Sequence, residues 1–136
     1  MSRQTLRDLT SVRRAKDFID REYAAPLDIS AIAKTACMSP AHFARHFREA
    51  YGETPYSYLM TRRIERAKAF LREGMSVSDA CASVGCTSLG SFSSRFHELV
   101  GMTPSQYRAL DHQGFADIPS CVSMIVTRPQ RFPLSV

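Results

Sequence analysis

Residues 39–58 read SPAHFARHFREAYGETPYSY, and residues 88–107 read SLGSFSSRFHELVGMTPSQY. Ser39, Phe43, Phe47, Glu49, Gly52, Thr54, Pro55 and Tyr58 return as Ser88, Phe92, Phe96, Glu98, Gly101, Thr103, Pro104 and Tyr107, each 49 residues on. Ordinary residue frequencies give about one identity by chance over such a window, so the chain holds two copies of one unit. Upstream the offset is 48: Asp28, Ile29, Ser30 and Cys37 correspond to Ser76, Val77, Ser78 and Gly85. The second copy therefore carries one extra residue at its turn.

Working outward, helix signals bracket both copies. Val12, Ala15, Ile19 and Tyr23 form an apolar stripe that predicts a first helix from about Ser11 to Tyr23, closed by Ala25-Pro26. Asp28 caps a second helix whose inner face is Ile29, Ile32, Ala33 and Ala36. After the short turn Cys37-Met38-Ser39, Ser39-Pro40 starts a third helix with Phe43 and Phe47 inward and Gly52 at its end. Thr54-Pro55 opens a long helix to about Glu73, with Leu59, Ile64, Ala67, Phe70 and Leu71 apolar and Arg62, Arg63, Arg66, Lys68 and Arg72 basic. Ser76 caps the next helix (Val77, Ala80, Cys81, Val84). Gly85 turns the chain into a helix from about Ser88 to Val100, with Phe92 and Phe96 inward. Thr103 and Gln106 fit a capping box on a last short helix. The expected fold is all-α, with about seven helices. It divides into a first helix-turn-helix subdomain (10–53), a linker helix (54–74), a second helix-turn-helix subdomain (75–110) and an irregular tail (111–136). Within the tail, Val122 to Thr127 reads as strand-like.

Helix-turn-helix pairs need a small residue where the helices cross and a left-handed residue in the turn. Ala33 and Cys81 supply the first. Gly85 supplies the second in one copy, while Cys37 stands there in the other. On a helical wheel with Phe43 inward, Ala41, Arg45 and Arg48 point outward, flanked by His42, Ala44 and Glu49. Arg45 is the expected base reader, because its fork matches guanine O6 and N7. With Phe92 inward, Gly90, Ser94 and His97 point outward, flanked by Ser91, Ser93 and Glu98, and Arg95 lies nearer the core edge toward phosphate. Ser39 and Ser88, with Thr87, sit at helix N-termini, where free N–H groups favour phosphate. The first unit is thus expected to read most of the sequence and the second to add phosphate contacts and shape readout. Arg62 and Arg63 count among the expected DNA contacts. A stiff linker helix suits the ~34 Å between adjacent major-groove faces.

The net charge is +5 across 136 residues, and the pI is about 9.3. Asp111, Asp117, Arg128 and Arg131 cancel in the tail, leaving 16 basic and 11 acidic side chains in residues 1–110. That balance points to a polyanion such as double-stranded DNA. No leader-like or membrane-spanning run is read in the sequence, so a cytoplasmic location is expected. Cys37, Cys81, Cys86 and Cys121 contain no C-x-x-C spacing and read as structural thiols. His42, His46, His97 and His112 read as scattered, so no metal, cofactor or catalytic constellation is expected.

The combined motifs resemble the AraC/XylS family of bacterial transcription regulators over about residues 10–110. The carriers are Leu27-Asp28-Ile29 through Met38-Ser39-Pro40-Ala41-His42-Phe43, then Arg62-Arg63-Ile64-Glu65-Arg66-Ala67, then Val84-Gly85, Phe92, Phe96 and Gly101-Met102-Thr103-Pro104-Ser105-Gln106-Tyr107-Arg108. The resemblance implies two recognition helices in successive major grooves, with Ala41, Ala44 and Arg45 base-facing in the first and Gly90, Ser91 and Ser94 in the second. Cys37, Cys86 and Ser94 depart from the family pattern, which often has glycine, an aromatic and arginine there. The resemblance further implies a stand-alone DNA-binding form, monomeric, with RNA polymerase as a second partner. The competing reading is a protein–protein module using Val122, Met124, Ile125 and Val126 of the tail.

Overall fold

In a computed structural model, residues 2–110 are described, and they form seven α-helices with no strand among them. The strand-like stretch Val122–Thr127, the competing apolar surface and Cys121 lie outside the described residues. The helices are α1 (Arg3–Glu22), α2 (Ile29–Thr35), α3 (Pro40–Tyr51), α4 (Pro55–Arg72), α5 (Val77–Ser83), α6 (Leu89–Val100) and α7 (Pro104–Ala109). No described helix is long and apolar enough to cross a membrane. The chain divides into two compact units, the first running to Arg62 and the second beginning at Arg63, so α4 contributes to both.

The first unit is built from α1, α2, α3 and the start of α4. Val12, Ala15 and Ile19 meet Ile32, Ala33, Ala36, Phe43, Phe47 and Leu59 in a sealed core, with Tyr23, Leu27, Met38, Tyr51 and Tyr58 packed around it. Phe47 stands at the centre of the aromatic set, 5.6 Å from Phe43, 4.9 Å from Tyr51 and 5.8 Å from Tyr58 between ring centroids. Each such ring buries enough area to contribute about 1.5–3 kcal/mol. The second unit repeats the plan. Phe96 lies 5.9 Å from Phe92 and 5.5 Å from Tyr107, and Ala80, Cys81, Val84, Leu99 and Val100 are also buried.

Helix boundaries follow the caps. Ser39, Ser88 and Thr103 each accept a hydrogen bond from the backbone N–H three residues on, and the Thr103–Gln106 capping box is complete. Two expectations need correction. α1 begins at Arg3 rather than near Ser11, because Ser2 caps it by accepting from the Thr5 N–H. Its first turns carry no inward stripe, since Leu6 and Leu9 are exposed, so periodicity alone misses them. Ile29 is not in the core but 38% exposed, since it opens α2 ahead of the buried positions Ile32 and Ala33.

The two turns match bond for bond. The Cys37 N–H donates to the Lys34 carbonyl at 3.0 Å and the Met38 N–H to Ala33 at 3.1 Å; Gly85 donates to Ala82 at 3.0 Å and Cys86 to Cys81 at 3.1 Å. This closure requires a left-handed residue at the turn, with φ of 86° at Gly85 and 57° at Cys37. A Cβ in that region costs about 1–2 kcal/mol. Cys37→Gly should therefore raise the stability of the first unit by about 1 kcal/mol, since its side chain is exposed and only strain is removed. Gly85→Ala should lower that of the second by about 1–2 kcal/mol. Urea midpoints of the two variants, moving in opposite directions, check the equivalence of the turns.

Candidate nucleic-acid interface

The burial that fixes Phe43 and Phe47 inward dictates what α3 presents outward. Ala41, Arg45 and Arg48 are exposed, and His42 and Ala44 are half-buried at the flanks. The Arg45 guanidinium lies along the helix, 3.2 Å from Nδ1 of His42, one turn toward the N-terminus. On α6 Gly90, Ser91, Ser94 and His97 are exposed, as are Leu89 at its start and Glu98, with Thr87 and Ser88 just before the helix. A Cβ added at Gly90 would meet nothing within 4 Å, so the backbone there borders open space. Arg95 is half-buried and pairs with Glu98 at 3.4 Å. Ser39 and Ser88 spend their hydroxyls on the His42 and Ser91 N–H groups, at 3.3 and 3.2 Å. Both hydroxyls therefore serve as helix caps.

The arginines of α4 separate by role. Arg62 is half-buried in the first unit, its Nε 3.2 Å from Oδ1 of Asp20 on α1. The same carboxylate accepts the Tyr58 hydroxyl, and Lys16 lies 3.5 Å from its other oxygen. Arg62 thus braces α4 against α1. Arg63 is only 7% exposed and hydrogen-bonds the Cys86 thiol in the second unit. Burial takes Arg63 out of the set of outward side chains, which counts against the DNA contact expected of it. Seen by sequence alone, two adjacent arginines on a basic helix look alike; the 100° step between them sends one to a surface carboxylate and the other inside.

The second turn accommodates its departures from the first through this contact. Burial pushes the Cys86 thiol above its usual range despite the opposing Arg63 charge, and burial also raises Cys81. Both sulfurs stay protonated near neutral pH and pack as small apolar groups. Elsewhere in this unit Arg72 donates to the Tyr107 hydroxyl at 2.8 Å, and Arg108 reaches the carbonyls of Met75 and Gly74, both at 2.9 Å. These bonds tie α7 to the end of α4.

One grouping was missed in the sequence. His42 and His46 do not lie scattered; they are a turn apart on α3, with ring centroids 4.2 Å apart, and Asp8 of α1 approaches His46. The His-x-x-x-His spacing is the signal that finds the pair, while Asp8 becomes visible only once α1 is extended to Arg3.

With this geometry in hand, the chain can be set beside known proteins. Residues 32–110 match a family model described as a helix-turn-helix domain. A putative AraC-like transcription regulator of Streptomyces antibioticus is 35% identical over 98 residues, covering 71% of this chain and 32% of that protein. The bifunctional transcriptional activator/DNA repair enzyme Ada of Escherichia coli K12 is 31% identical over 87 residues, covering 64% of this chain and 25% of Ada. The chain spans between 14% and 38% of the length of such relatives. Among solved structures, the C-terminal domain of AraT, a response regulator of Geobacillus stearothermophilus, superposes with a TM-score of 0.67 at 25% identity, covering 76% of this chain and 93% of that one. The DNA-binding domain of AdpA, solved in complex with a target DNA, gives a TM-score of 0.71 at 24% identity over 78% of this chain and 96% of its own; at that identity the likeness speaks to fold.

Separation of structural from outward arginines is checked by stability. Arg63→Ala should cost about 1–3 kcal/mol, because it removes a buried, hydrogen-bonded side chain. Arg45→Ala should leave the melting temperature where it is. Equal thermal shifts in the two variants would contradict the assignment.

Proposed function

Since the chain belongs to the AraC-type helix-turn-helix family, we propose that it is a sequence-specific regulator of transcription that binds double-stranded DNA through α3 and α6. The observation that carries this reading is the pairing of two equivalent turns with two outward helix faces that bear no core residue. The basic excess of residues 1–110 supplies the sequence-independent attraction to phosphate.

The faces divide the labour. On α3, Arg45 is the base reader, Arg48 the phosphate contact, and Ala41 and Ala44 sit against thymine methyls or let the backbone approach. On α6, Gly90, Ser91 and Ser94 permit close approach with little bidentate capacity, and Thr87, His97 and Arg95 serve the backbone. Each helix enters its own major groove, in successive turns of one duplex. Because the faces differ, one chain covers an asymmetric site, which supports action as a monomer. Bacterial relatives named as transcription regulators support work in the cytoplasm with RNA polymerase as a further partner. Regulation by binding rather than catalysis accounts for the residues described.

Titration of a DNA site obtained by binding-site selection, read by gel shift or fluorescence anisotropy, tests this. Arg45→Ala should cost about 1–3 kcal/mol at the cognate site and relax preference at one base pair. Arg48→Ala should weaken binding evenly across sequences and reduce the slope of log affinity against log salt by about 1. An Arg45→Ala loss that is the same on every DNA would reduce Arg45 to a phosphate contact. Binding that ignores salt would remove the proposal altogether.

A further inference from the structure

We propose that Asp8, His42 and His46 form a binding site for one divalent transition-metal ion of the zinc class. This stands apart from the reading of the chain as a DNA binder, because it concerns a cluster between α1 and α3 that packs the first unit. Each of the three residues offers one ligand atom, and these atoms lie within 4.8 Å of one another. All three side chains are half-buried, shielded yet open to an entering ion.

A plain ion pair does not account for the arrangement. Oδ2 of Asp8 is 3.9 Å from Nε2 of His46, too long for a hydrogen bond, so the pair lacks the close geometry of a strong ion pair. An ion pair also needs only one imidazole, yet the His42 ring is drawn alongside that of His46 at 4.2 Å. Around zinc, ligands about 2.0–2.1 Å from the ion stand roughly 3.3 Å apart. The observed separations, 3.9 Å between Asp8 and His46 and at most 4.8 Å within the set, exceed this by up to about 1.5 Å, which side-chain torsions must close. Two imidazoles one helical turn apart and a carboxylate are a donor set suited to zinc, with water completing the tetrahedron.

The surroundings fit the same chemistry. Glu49 Oε2 is 3.9 Å from Nδ1 of His46, the nitrogen turned away from Asp8. At that distance Glu49 makes no hydrogen bond to the ring; drawn in when an ion binds, it would orient the imidazole and raise its basicity. The ion would cross-link α1 to α3, so loading should stabilise the folded first unit by mass action. Because Arg45 lies against Nδ1 of His42, the site also adjoins the outward arginine of α3.

The test is titration of the untagged, reduced full chain with cobalt(II) and zinc(II). The expected result is saturation at one equivalent, visible d–d bands of tetrahedral cobalt without sulfur-to-metal charge transfer, and a zinc-dependent rise in melting temperature. His46→Ala, His42→Ala and Asp8→Asn should each lower affinity about tenfold or more. Their metal-free melting temperatures should stay near that of the parent, and the measurement of all three guards against one variant that fails to fold. Absence of saturable binding overturns the proposal. So does a cobalt spectrum dominated by thiolate charge transfer, which would move the metal to the cysteines. Variants that melt earlier without zinc but bind it as the parent does would make the cluster a clamp between helices only.

Discussion

Everything distinctive in this fold rests on one backbone constraint, the left-handed residue that lets the chain reverse between two packed helices. In that conformation the N–H of the next residue reaches back to the carbonyl of Ala33 or Cys81 at 3.1 Å. That carbonyl belongs to the small buried residue over which the following helix crosses. A larger side chain there would push the helices apart, and a right-handed turn residue would aim the second helix elsewhere. Phe43 and Phe47, or Phe92 and Phe96, then seal the pair, and the opposite face of the second helix is left to solvent. The outward helix face is thus a geometric consequence of the turn.

The constraint is met in two ways. Gly85 takes the conformation without a steric penalty, whereas Cys37 takes it with φ of 57° and a Cβ. Backbone strain in the first turn must be outweighed by its core, to which α1 adds Val12, Ala15 and Ile19. The Asp20 carboxylate adds a polar brace, receiving Tyr58, Arg62 and Lys16. The second turn, with its unstrained glycine, uses polar ties instead: Arg63 at Cys86, Arg72 at Tyr107, and Arg108 on two carbonyls.

What the sequence made legible was local or periodic. Caps such as Ser39-Pro40 and Thr103-Pro104-Ser105-Gln106 declare their helices because a hydroxyl three residues ahead of an N–H is a short-range event. The inward rings of Phe43, Phe47, Phe92 and Phe96 follow from four-residue spacing. Illegible features depend on what another element brings. The first turns of α1 have no apolar stripe of their own, so only the Ser2 cap marks them. Whether Arg62 or Arg63 is buried depends on which helix lies beside each. Asp8 joins His42 and His46 because α1 and α3 pack together, a separation of 34 residues in sequence that no periodicity reports.

The repeat also separates two kinds of selection on one helix. Residues shared at the 49-residue offset are caps, core rings and turn formers, together with Glu49 and Glu98 on the surface. Positions facing outward do not match: Ala41 answers to Gly90, Ala44 to Ser93, and Arg45 to Ser94. Packing tolerates few alternatives at a buried ring, because a lost aromatic leaves a cavity costing about 3–5 kcal/mol, while an outward side chain alters stability little. Folding therefore holds the inner faces alike and leaves the outer faces to be set by whatever they touch. A forked, permanently charged side chain on one helix against a glycine and hydroxyls on the other is a difference in contact chemistry, not in fold. The two copies are equivalent as architecture and distinct as surfaces, and it is the surfaces that must account for any discrimination between DNA sequences.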